Sequence, residues 1–413
     1  MQKSQPFKQK IVNDPVHGFI TIPNQLAFDL MEHPWIQRLR NIKQLGLSYL
    51  VYPGAVHNRF QHTLGAMHLM MQALQVLREK GIEITDAEEE GAIAAIMMHD
   101  LGHGPYSHAL EHSIVHHISH EAISQAFMEQ LNIQMNGRLS MAIAIFDNRY
   151  PKKFLHQLVS SQLDVDRLDY LGRDSFFSGV AEGTIGLERI IKMLYVADDS
   201  LVVEAKGIYS IEKFLIARRL MYWQVYLHKT VVGAEQMLIA ILQRARQLAR
   251  AGIPLATSPA LQFFLERHYE ELPTNDWLSV FAQLDDSDIS LAIKLWVNHS
   301  DPALADLCSR LNNRKLLHVE LSTTPFPASR VKKAIEACMS QTECSSDHAG
   351  FLCFAGEVTN SFYNPEEESI KILFKNNKLE DIYEASEMLN HSALAKTVKK
   401  YFFCYPKEIS FSL

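Results

Sequence analysis

The 413-residue chain is poor in cysteine: it has five, all from residue 308 onward and without a CxxC pair. Such a distribution argues against a disulfide framework or a cysteine zinc site and predicts reduced thiols. No apolar run is long enough to span a bilayer, and the N-terminus lacks the apolar segment of a signal peptide. We therefore expect a cytoplasmic protein with no membrane partner.

Positive charge is not in excess either, since the chain has 40 basic and 47 acidic residues and a net charge of −7. A nucleic-acid partner is accordingly not expected, because such binding depends on an excess of Lys and Arg. An anionic substrate would have to be held by a local cluster of basic side chains. The length is sufficient for a large core and two units.

The most unusual stretch is HDLGHGPYSH at residues 99–108. It follows a continuously apolar segment, and Thr85 with Glu88 predicts a capping box at the start of a buried helix there. A buried helix should not end in an adjacent imidazole and carboxylate unless something satisfies them, and a metal ion would do so. His103 lies one turn after His99 and faces the same space. The alternative is a hydrogen-bonded His–Asp pair at a helix end.

A second unusual stretch lies at residues 163–174. On a helix, Asp166, Tyr170 and Asp174 would share one face, because they are spaced four residues apart. That face would carry two acids and a phenol together. The alternative is an exposed helix with an ordinary ion pair between Asp169 and Arg173.

Helical periodicity dominates the chain to about residue 310. We predict a hairpin over residues 10–22, a helix over 34–44 whose basic side chains face solvent, and one long helix over 210–248. Beyond residue 315 the pattern changes to β-α-β-β-α-β, with strands at 316–321, 351–354, 369–374 and 401–405 and helices at 328–339 and 379–399. The fold class is therefore mainly α, with a smaller ferredoxin-like α+β unit at the C-terminus.

Four side chains could hold a metal ion: His99, Asp100 and Asp166 from these stretches, and His62 from the first turn of a helix predicted to run to about residue 80. Two imidazoles and two carboxylates suit Mn²⁺, Fe, Co²⁺ or Zn²⁺ better than Ca²⁺. Mg²⁺ is the candidate for a second ion. The separations along the chain are long, so spacing alone does not show that these groups meet.

The H…HD…D pattern resembles that of the HD-domain phosphohydrolases. Longer motifs resemble the deoxynucleoside triphosphate (dNTP) triphosphohydrolases, in the branch that includes the mammalian SAM-and-HD-domain enzyme. These motifs are NDPVHG at 13–18, QRLR at 37–40, PGAVHNRFQH at 53–62, HDLGHGPYSH at 99–108 and DVDRLDY at 164–170. The resemblance is dense from residue 10 to about residue 229.

The resemblance implies an HD-domain helical core with a helical extension over residues 1–310 and a C-terminal α+β unit over 311–413. It implies hydrolysis of dNTPs to deoxynucleoside and inorganic triphosphate by a homo-oligomer, either a dimer or a tetramer. Two alternatives stay open: an HD phosphohydrolase acting on another nucleotide or phosphoester, and a catalytically silent nucleotide-binding regulator.

The resemblance also implies roles for single residues. The metal ligands would be the four side chains named above. The residues around the scissile α-phosphate would be His103, His108, His120 and Glu111, with Glu111 orienting His108 as the general acid. The clamp on the triphosphate would consist of Arg59, Arg167 and Arg218, whose guanidinium groups suit phosphate oxygens. The residues that read the deoxyribose would be Gln44, Tyr170, Asp174 and Tyr226.

A regulatory nucleotide site is only partly matched. The matching residues are Lys10, Asn13, Gln37, Arg40 and Lys206, with Glu32 as a conservative change. Glu204 stands where the mammalian protein has a basic residue, which leaves nucleotide activation open. Leu227 stands where that protein has a glutamine, so base contacts are expected to differ. With about ten residues before the core motifs, no SAM domain is expected.

Overall fold

The computed structural model describes residues 9–107, 118–267, 276–360, 369–388 and 398–411. Elements of the N-terminal part are β1 (Lys10–Asp14), β2 (Gly18–Ile22), α1 (Gln25–Glu32), α2 (Pro34–Arg38), α3 (Arg59–Glu79), α4 (Asp86–Met98), α5 (His120–Gln134), α6 (Ser140–Phe146), α7 (Lys153–Val159), α8 (Val165–Ser178), α9 (Leu187–Met193), β3 (Leu194–Ala197) and β4 (Ser200–Glu204).

The remaining elements are α10 (Ile208–Met221), α11 (Lys229–Arg250), α12 (Pro259–Glu266), α13 (Asp276–Phe281), α14 (Asp286–Trp296), α15 (Pro302–Asn312), β5 (His318–Ser322), α16 (Ala328–Thr342), α17 (Ser346–Leu352), β6 (Phe354–Asn360), β7 (Lys371–Leu373), β8 (Leu379–Asp381), α18 (Ile382–Ala385) and β9 (Val398–Tyr405). Helices predominate, so the mainly α prediction is confirmed.

The helix that leads to the HD stretch, α4, forms as the sequence predicts. Thr85 and Glu88 make a reciprocal capping box at its start, and its residues from Gly91 to Met98 are all buried. The hairpin of β1 and β2 is also confirmed. By contrast, α2 ends at Arg38 rather than at residue 44. The chain turns through a 3₁₀ turn and then becomes extended, because Lys43 pairs with Asn58 in an isolated β-bridge.

Helices α3 and α8 pack closely, and this contact brings the end of the motif at residues 53–62 to the unusual stretch at residues 163–174. Gly65 of α3 faces Asp169 of α8, and a Cβ at that position would overlap the Asp169 carboxylate and the Arg173 guanidinium. Only glycine therefore permits this approach of the two helices. The contact sets the first turn of α3, with His62, against the first turns of α8, with Asp166.

The prediction of one continuous helix over residues 210–248 is wrong, because the structure has two helices there. Between α10 and α11 the chain forms a π-helical turn at Tyr222–Tyr226, and His228 caps the start of α11. The two helical segments bend by 57° at this break. Such π-turns recur at functional sites, and this one carries Tyr226. No single helix among the described residues is both long and apolar enough to cross a membrane.

The ferredoxin-like arrangement of the C-terminal part is not confirmed. In the described residues its strands divide between two sheets: β5, β9 and β6 form one, whereas β7 and β8 join β3 and β4 of the N-terminal part. The predicted helix over 379–399 begins instead with a strand, β8, followed by the short α18. Since β7 pairs in parallel with β4, this region is not an independent sheet.

Candidate active site

His62 lies in the first turn of α3 and is completely buried. Its Nδ1 donates a hydrogen bond to Asp169 Oδ2 at 2.8 Å, because an ionised carboxylate can only accept. Asp169 also accepts from His17 Nε2 at 2.6 Å and from Arg173 Nε at 2.9 Å. The carboxylate thereby fixes both the orientation and the tautomer of the His62 ring, leaving the Nε2 lone pair available.

His99 caps the C-terminal end of α4 and is held in the same manner. Its Nδ1 donates to the backbone carbonyl of Ile96 at 2.6 Å, which leaves the lone pair on Nε2. Neither His62 Nε2 nor His99 Nε2, both buried, has a hydrogen-bond partner among the described residues. Orienting a histidine through its second ring nitrogen is typical of metal-ligating imidazoles. Two buried, unsatisfied lone pairs fit a metal ion.

The four predicted metal ligands meet at this point. Ligand atoms of His62, His99 and Asp166 lie within 4.8 Å of one another. Asp166 Oδ1 is 2.9 Å from His62 Nε2 and 3.3 Å from His99 Nε2. Asp100 contributes Oδ1 at 3.3 Å from His99 Nε2 and Oδ2 at 3.7 Å from His62 Nε2. This donor set of two imidazoles and two carboxylates fits a divalent transition metal.

The electrostatics of the group favour a cation. Burial lowers the pKa of His62, but the carboxylates of Asp166 and Asp169 beside the ring more than offset this and raise the pKa to about 10. Burial likewise raises the pKa of Asp166, yet the two imidazoles bring it well below its usual range. The carboxylates therefore stay ionised, and positive charge between them is stabilised.

Arg59 contacts this group directly instead of pointing into open space. Its Nη1 donates to Asp100 Oδ2 at 2.6 Å and its Nε donates to Ser107 Oγ at 2.7 Å. Burial raises the pKa of Asp100, while the charges of Arg59 and His99 bring it well below the usual range. Arg59 thus neutralises part of the ligand charge, a contact that the sequence did not predict.

A cavity of about 1100 Å³ opens beside the candidate metal site. The predicted site residues that line it are Gln44, Arg59, His99, Asp100, His103, His120, Asp166, Arg167, Tyr170, Asp174 and Tyr226. His62 lies behind this wall. The volume lies slightly above the range of about 300–1000 Å³ that is usual for small-ligand sites.

His103 and His120 stack on each other at one end of the cavity, with ring centroids 4.1 Å apart. His103 Nε2 lies 3.3 Å from Asp100 Oδ1. Burial, together with Arg59 and His120, brings the pKa of His103 well below its usual value, so its ring is neutral. Gly102 makes this stacking geometrically feasible, because a Cβ there would overlap the backbone of His120 and Ser124.

Several known proteins are similar to this chain. A family model described as an HD associated region matches residues 185–252. The protein YwfO of Bacillus subtilis is 31% identical over 97% of this chain and 93% of its own length. A crystal structure of a phosphohydrolase from Bacteroides thetaiotaomicron is 53% identical, superposes with a TM-score of 0.93, and covers 96% of this chain and 100% of its own. The human deoxynucleoside triphosphate triphosphohydrolase SAMHD1 is 30% identical over 53% of this chain, a match that spans 42% of that protein.

The chain belongs to the HD-domain, dNTPase-like family. It is a phosphohydrolase of the HD type.

In this HD-domain protein, a second wall of the cavity carries a group of side chains that are hydrogen-bonded to Asp174. Asp174 accepts from His57 Nε2 at 2.7 Å and from the Tyr226 hydroxyl at 2.7 Å. Burial and the Asp174 charge raise the pKa of Tyr226 well above its usual value, so the phenol keeps its proton. The sequence predicted Asp174 and Tyr226 for the site but missed His57, although His57 lies in the matched motif at residues 53–62.

The two other predicted clamp residues differ in position. Arg167 lines the cavity, and its Nε donates to the Ser161 carbonyl at 2.6 Å and lies 3.3 Å from Asp164 Oδ2. Arg218 is not among the residues that line the cavity; it is 4% exposed and donates from Nη1 to Gln162 Oε1 at 3.1 Å. His108 and Glu111 lie outside the described residues, so their predicted roles stay predictions.

Arg38 is a residue whose role the sequence misjudged. The expectation of a solvated basic face is wrong here, because Arg38 is buried and donates to the backbone carbonyls of Leu101, His103 and Leu284. It therefore holds the loop that carries His103. Its place in the QRLR motif at residues 37–40 was the feature of the sequence that could have indicated a role other than a surface charge.

Of the residues matched to a regulatory site, Arg40 lies over the Phe60 ring at 3.7 Å and donates to Gln37. Glu204 forms an ion pair with Lys80 at 2.7 Å. These contacts engage Arg40 and Glu204 within the chain, and regulation by a nucleotide stays a prediction.

Proposed function

We propose that this phosphohydrolase cleaves dNTPs to deoxynucleoside and inorganic triphosphate. The observation that carries the proposal is the meeting of His62, His99, Asp100 and Asp166 at the wall of a cavity whose other wall holds Asp174 and Tyr226. One side could hold the metal and the phosphates, and the other could read the sugar. The similarity to SAMHD1 supports the substrate class.

We assign the following roles in the reaction to residues of the chain. The four ligands would hold a divalent ion, which supplies Lewis-acid polarisation of a phosphate oxygen and of water. His103, a neutral imidazole, would donate a hydrogen bond to a phosphate oxygen beside His120. The Asp174–Tyr226 pair would pack against the deoxyribose, where a ribose 2′-hydroxyl would find no room. His108, oriented by Glu111, is proposed to protonate the leaving 5′-oxygen.

The decisive experiment identifies the products. Purified protein with Mn²⁺ should convert each dNTP into deoxynucleoside and intact triphosphate, and ribonucleotides should react far more slowly. In ¹⁸O-water the label should enter the triphosphate and not the nucleoside, because water attacks the α-phosphorus and the 5′-oxygen leaves. Asp166→Ala, which removes a ligand carboxylate, is the inactive control.

Formation of deoxynucleoside monophosphate and pyrophosphate, or stepwise release of orthophosphate, would contradict the proposal. It would favour the second candidate, an HD phosphohydrolase acting on another nucleotide or phosphoester. Two observations favour that candidate: Arg218 is not among the residues that line the cavity, and Arg59 is already paired with Asp100. A phosphate chain shorter than triphosphate would need fewer cations.

A further inference from the structure

The acidic residues that line the cavity are, with one exception, paired. Within the described ranges, those with a basic or hydrogen-bonding partner are Asp100, Glu121, Asp147, Asp164, Asp166 and Asp174. Glu235 lines the same cavity but forms no hydrogen bond or ion pair with any described residue. Glu235 is only half-buried, so its carboxyl group can be reached from the cavity by a bound ligand. Glu235 is therefore positioned for a ligand that the chain itself does not supply.

The position of Glu235 relates it to the residues proposed to read the sugar. It lies in the second turn of α11, which begins three residues after Tyr226. Its Oε1 is 3.8 Å from the point that a Cβ on Gly46 would occupy, and Gly46 follows Gln44 by two residues. Leu45 and Leu227 line the cavity on the same two segments. We call the part of the wall formed by Leu45, Gly46, Leu227 and Glu235 the Glu235 recess.

The chemistry of the Glu235 recess suits a flat ring with a polar edge. Two leucines supply apolar contact, and Gly46 leaves space beside the carboxyl group. Burial raises the pKa of Glu235 to about 8, so the group is largely protonated near neutral pH. A protonated carboxyl group offers one donor and one acceptor side by side. Phosphates would not be placed here, because Glu235 has no basic partner among the described residues.

We propose that Glu235 hydrogen-bonds the edge of the nucleobase and thereby sets the base preference of the enzyme. This inference rests on the proposed function, because it takes the sugar to lie between Gln44 and Tyr226. It assigns the apolar contact with the base to Leu45 and Leu227 and the polar contact to Glu235. Base preference would then depend on one side chain of α11.

The test compares three variants. Glu235→Leu removes the polar contact, whereas Glu235→Gln keeps one donor and one acceptor in nearly the same shape. The matched control is Gln236→Leu at the neighbouring position, because Gln236 lines a separate groove between α11 and α17. For each variant we would measure kcat/KM for the four dNTPs in competition with Mn²⁺ present, and the affinity for each dNTP by calorimetry with Ca²⁺ in place of Mn²⁺.

In the Glu235→Leu variant the ratio of kcat/KM between the best and the worst base should change by about tenfold, the effect of one hydrogen bond in a substrate pocket. Glu235→Gln should change it less, and Gln236→Leu should leave it unaltered. An equal change for all four bases, or no change, would overturn the inference while the proposed function stands. If dNTPs bind with a base preference that Glu235→Leu abolishes but are not hydrolysed, the proposed function fails and the inference holds. Failure of the wild type both to bind and to hydrolyse dNTPs overturns both.

Discussion

The Asp169→Asn substitution should weaken metal binding although Asp169 is not itself a ligand. Asp169 is completely buried and accepts hydrogen bonds from His62, His17 and Arg173. Asparagine has nearly the same shape but carries no charge and has only one oxygen. It can no longer hold the His62 tautomer while also satisfying the guanidinium group.

The expected size of the effect follows from these contacts. Loss of the partner that orients a metal-ligating histidine typically costs 10- to 100-fold in metal affinity, and we expect a loss of about that size here. Removing one member of a buried ion pair destabilises by about 3–5 kcal/mol. Arg173 would still donate to Asp14 Oδ2 at 2.8 Å. We therefore expect a loss of about 3 kcal/mol in the free energy of unfolding, at the lower end of that range.

The matched control is Asp14→Asn. Asp14 pairs with the same Arg173 but contacts none of the proposed metal ligands, and an asparagine there keeps an oxygen for the backbone N–H groups of Val16 and His17. Urea unfolding of the metal-free proteins should give similar losses for the two variants. Mn²⁺ titration in competition with a chromophoric chelator should give a weaker affinity for Asp169→Asn alone.

Two results would refute this reasoning. If Asp169→Asn bound Mn²⁺ as tightly as the wild type, the orientation of His62 through Nδ1 would not matter for the metal. If both variants lost metal equally, the loss would reflect general destabilisation of α8 and not the contact with His62.

Four further outcomes are expected. Asp166→Ala should lose most of the one transition metal per chain that elemental analysis should find in the wild type; a fully active metal-free wild type would contradict this. His108→Ala should keep its metal but lose about 10²- to 10⁴-fold in turnover if it is the general acid, and single-turnover kinetics would measure this. Burial raises the pKa of Glu88, but hydrogen bonds from Thr85, Lys152 and Tyr150 lower it to about 2, so its contribution to stability is present above pH 4.5 and is lost as the pH falls toward 2; urea unfolding of Glu88→Gln should lack that acid-dependent component. Sedimentation at micromolar concentration should show at least a dimer, and a 47.1 kDa species alone, with and without nucleotide, would refute this.

The helices that carry the candidate metal ligands could be predicted from the sequence because their signals are local, whereas the meeting of the four ligands was implied only by the family resemblance. A capping box and an apolar run define α4, and the HD dipeptide follows directly at its end. Helical spacing places Asp166, Tyr170 and Asp174 on one face of α8, and all three line the cavity. The predicted alternative at this helix, an Asp169–Arg173 ion pair, is also present, but it is buried instead of exposed. The ion pair of the alternative is therefore present, but its exposed helix is not, and the buried pair contacts His62 through Asp169.

Contacts between distant segments could not be predicted in this manner. Arg38 looked like one of several surface cations, and only the approach of Leu101, His103 and Leu284 turns it into a buried donor. The break before α11 was missed because neither a proline nor a glycine lies between Tyr222 and Lys229, so the sequence carries no breaker at the π-helical turn. The C-terminal strands were identified as a single sheet because strand order along the chain does not show that β7 pairs with β4 of the N-terminal part.

Gly65 shows how closely the fold and the site depend on each other. In the sequence it is a glycine in the interior of a long helix, where it costs about 0.5–1 kcal/mol relative to alanine. In the structure it is the point where α3 meets the Asp169–Arg173 pair, and a Cβ would overlap both side chains. The close approach at Gly65 offsets that cost, because it brings His62, three residues earlier, within hydrogen-bond distance of Asp169. The same approach brings His62 to Asp166, so the distance between two helices, set by one missing methyl group, determines whether the four proposed ligands can share one ion.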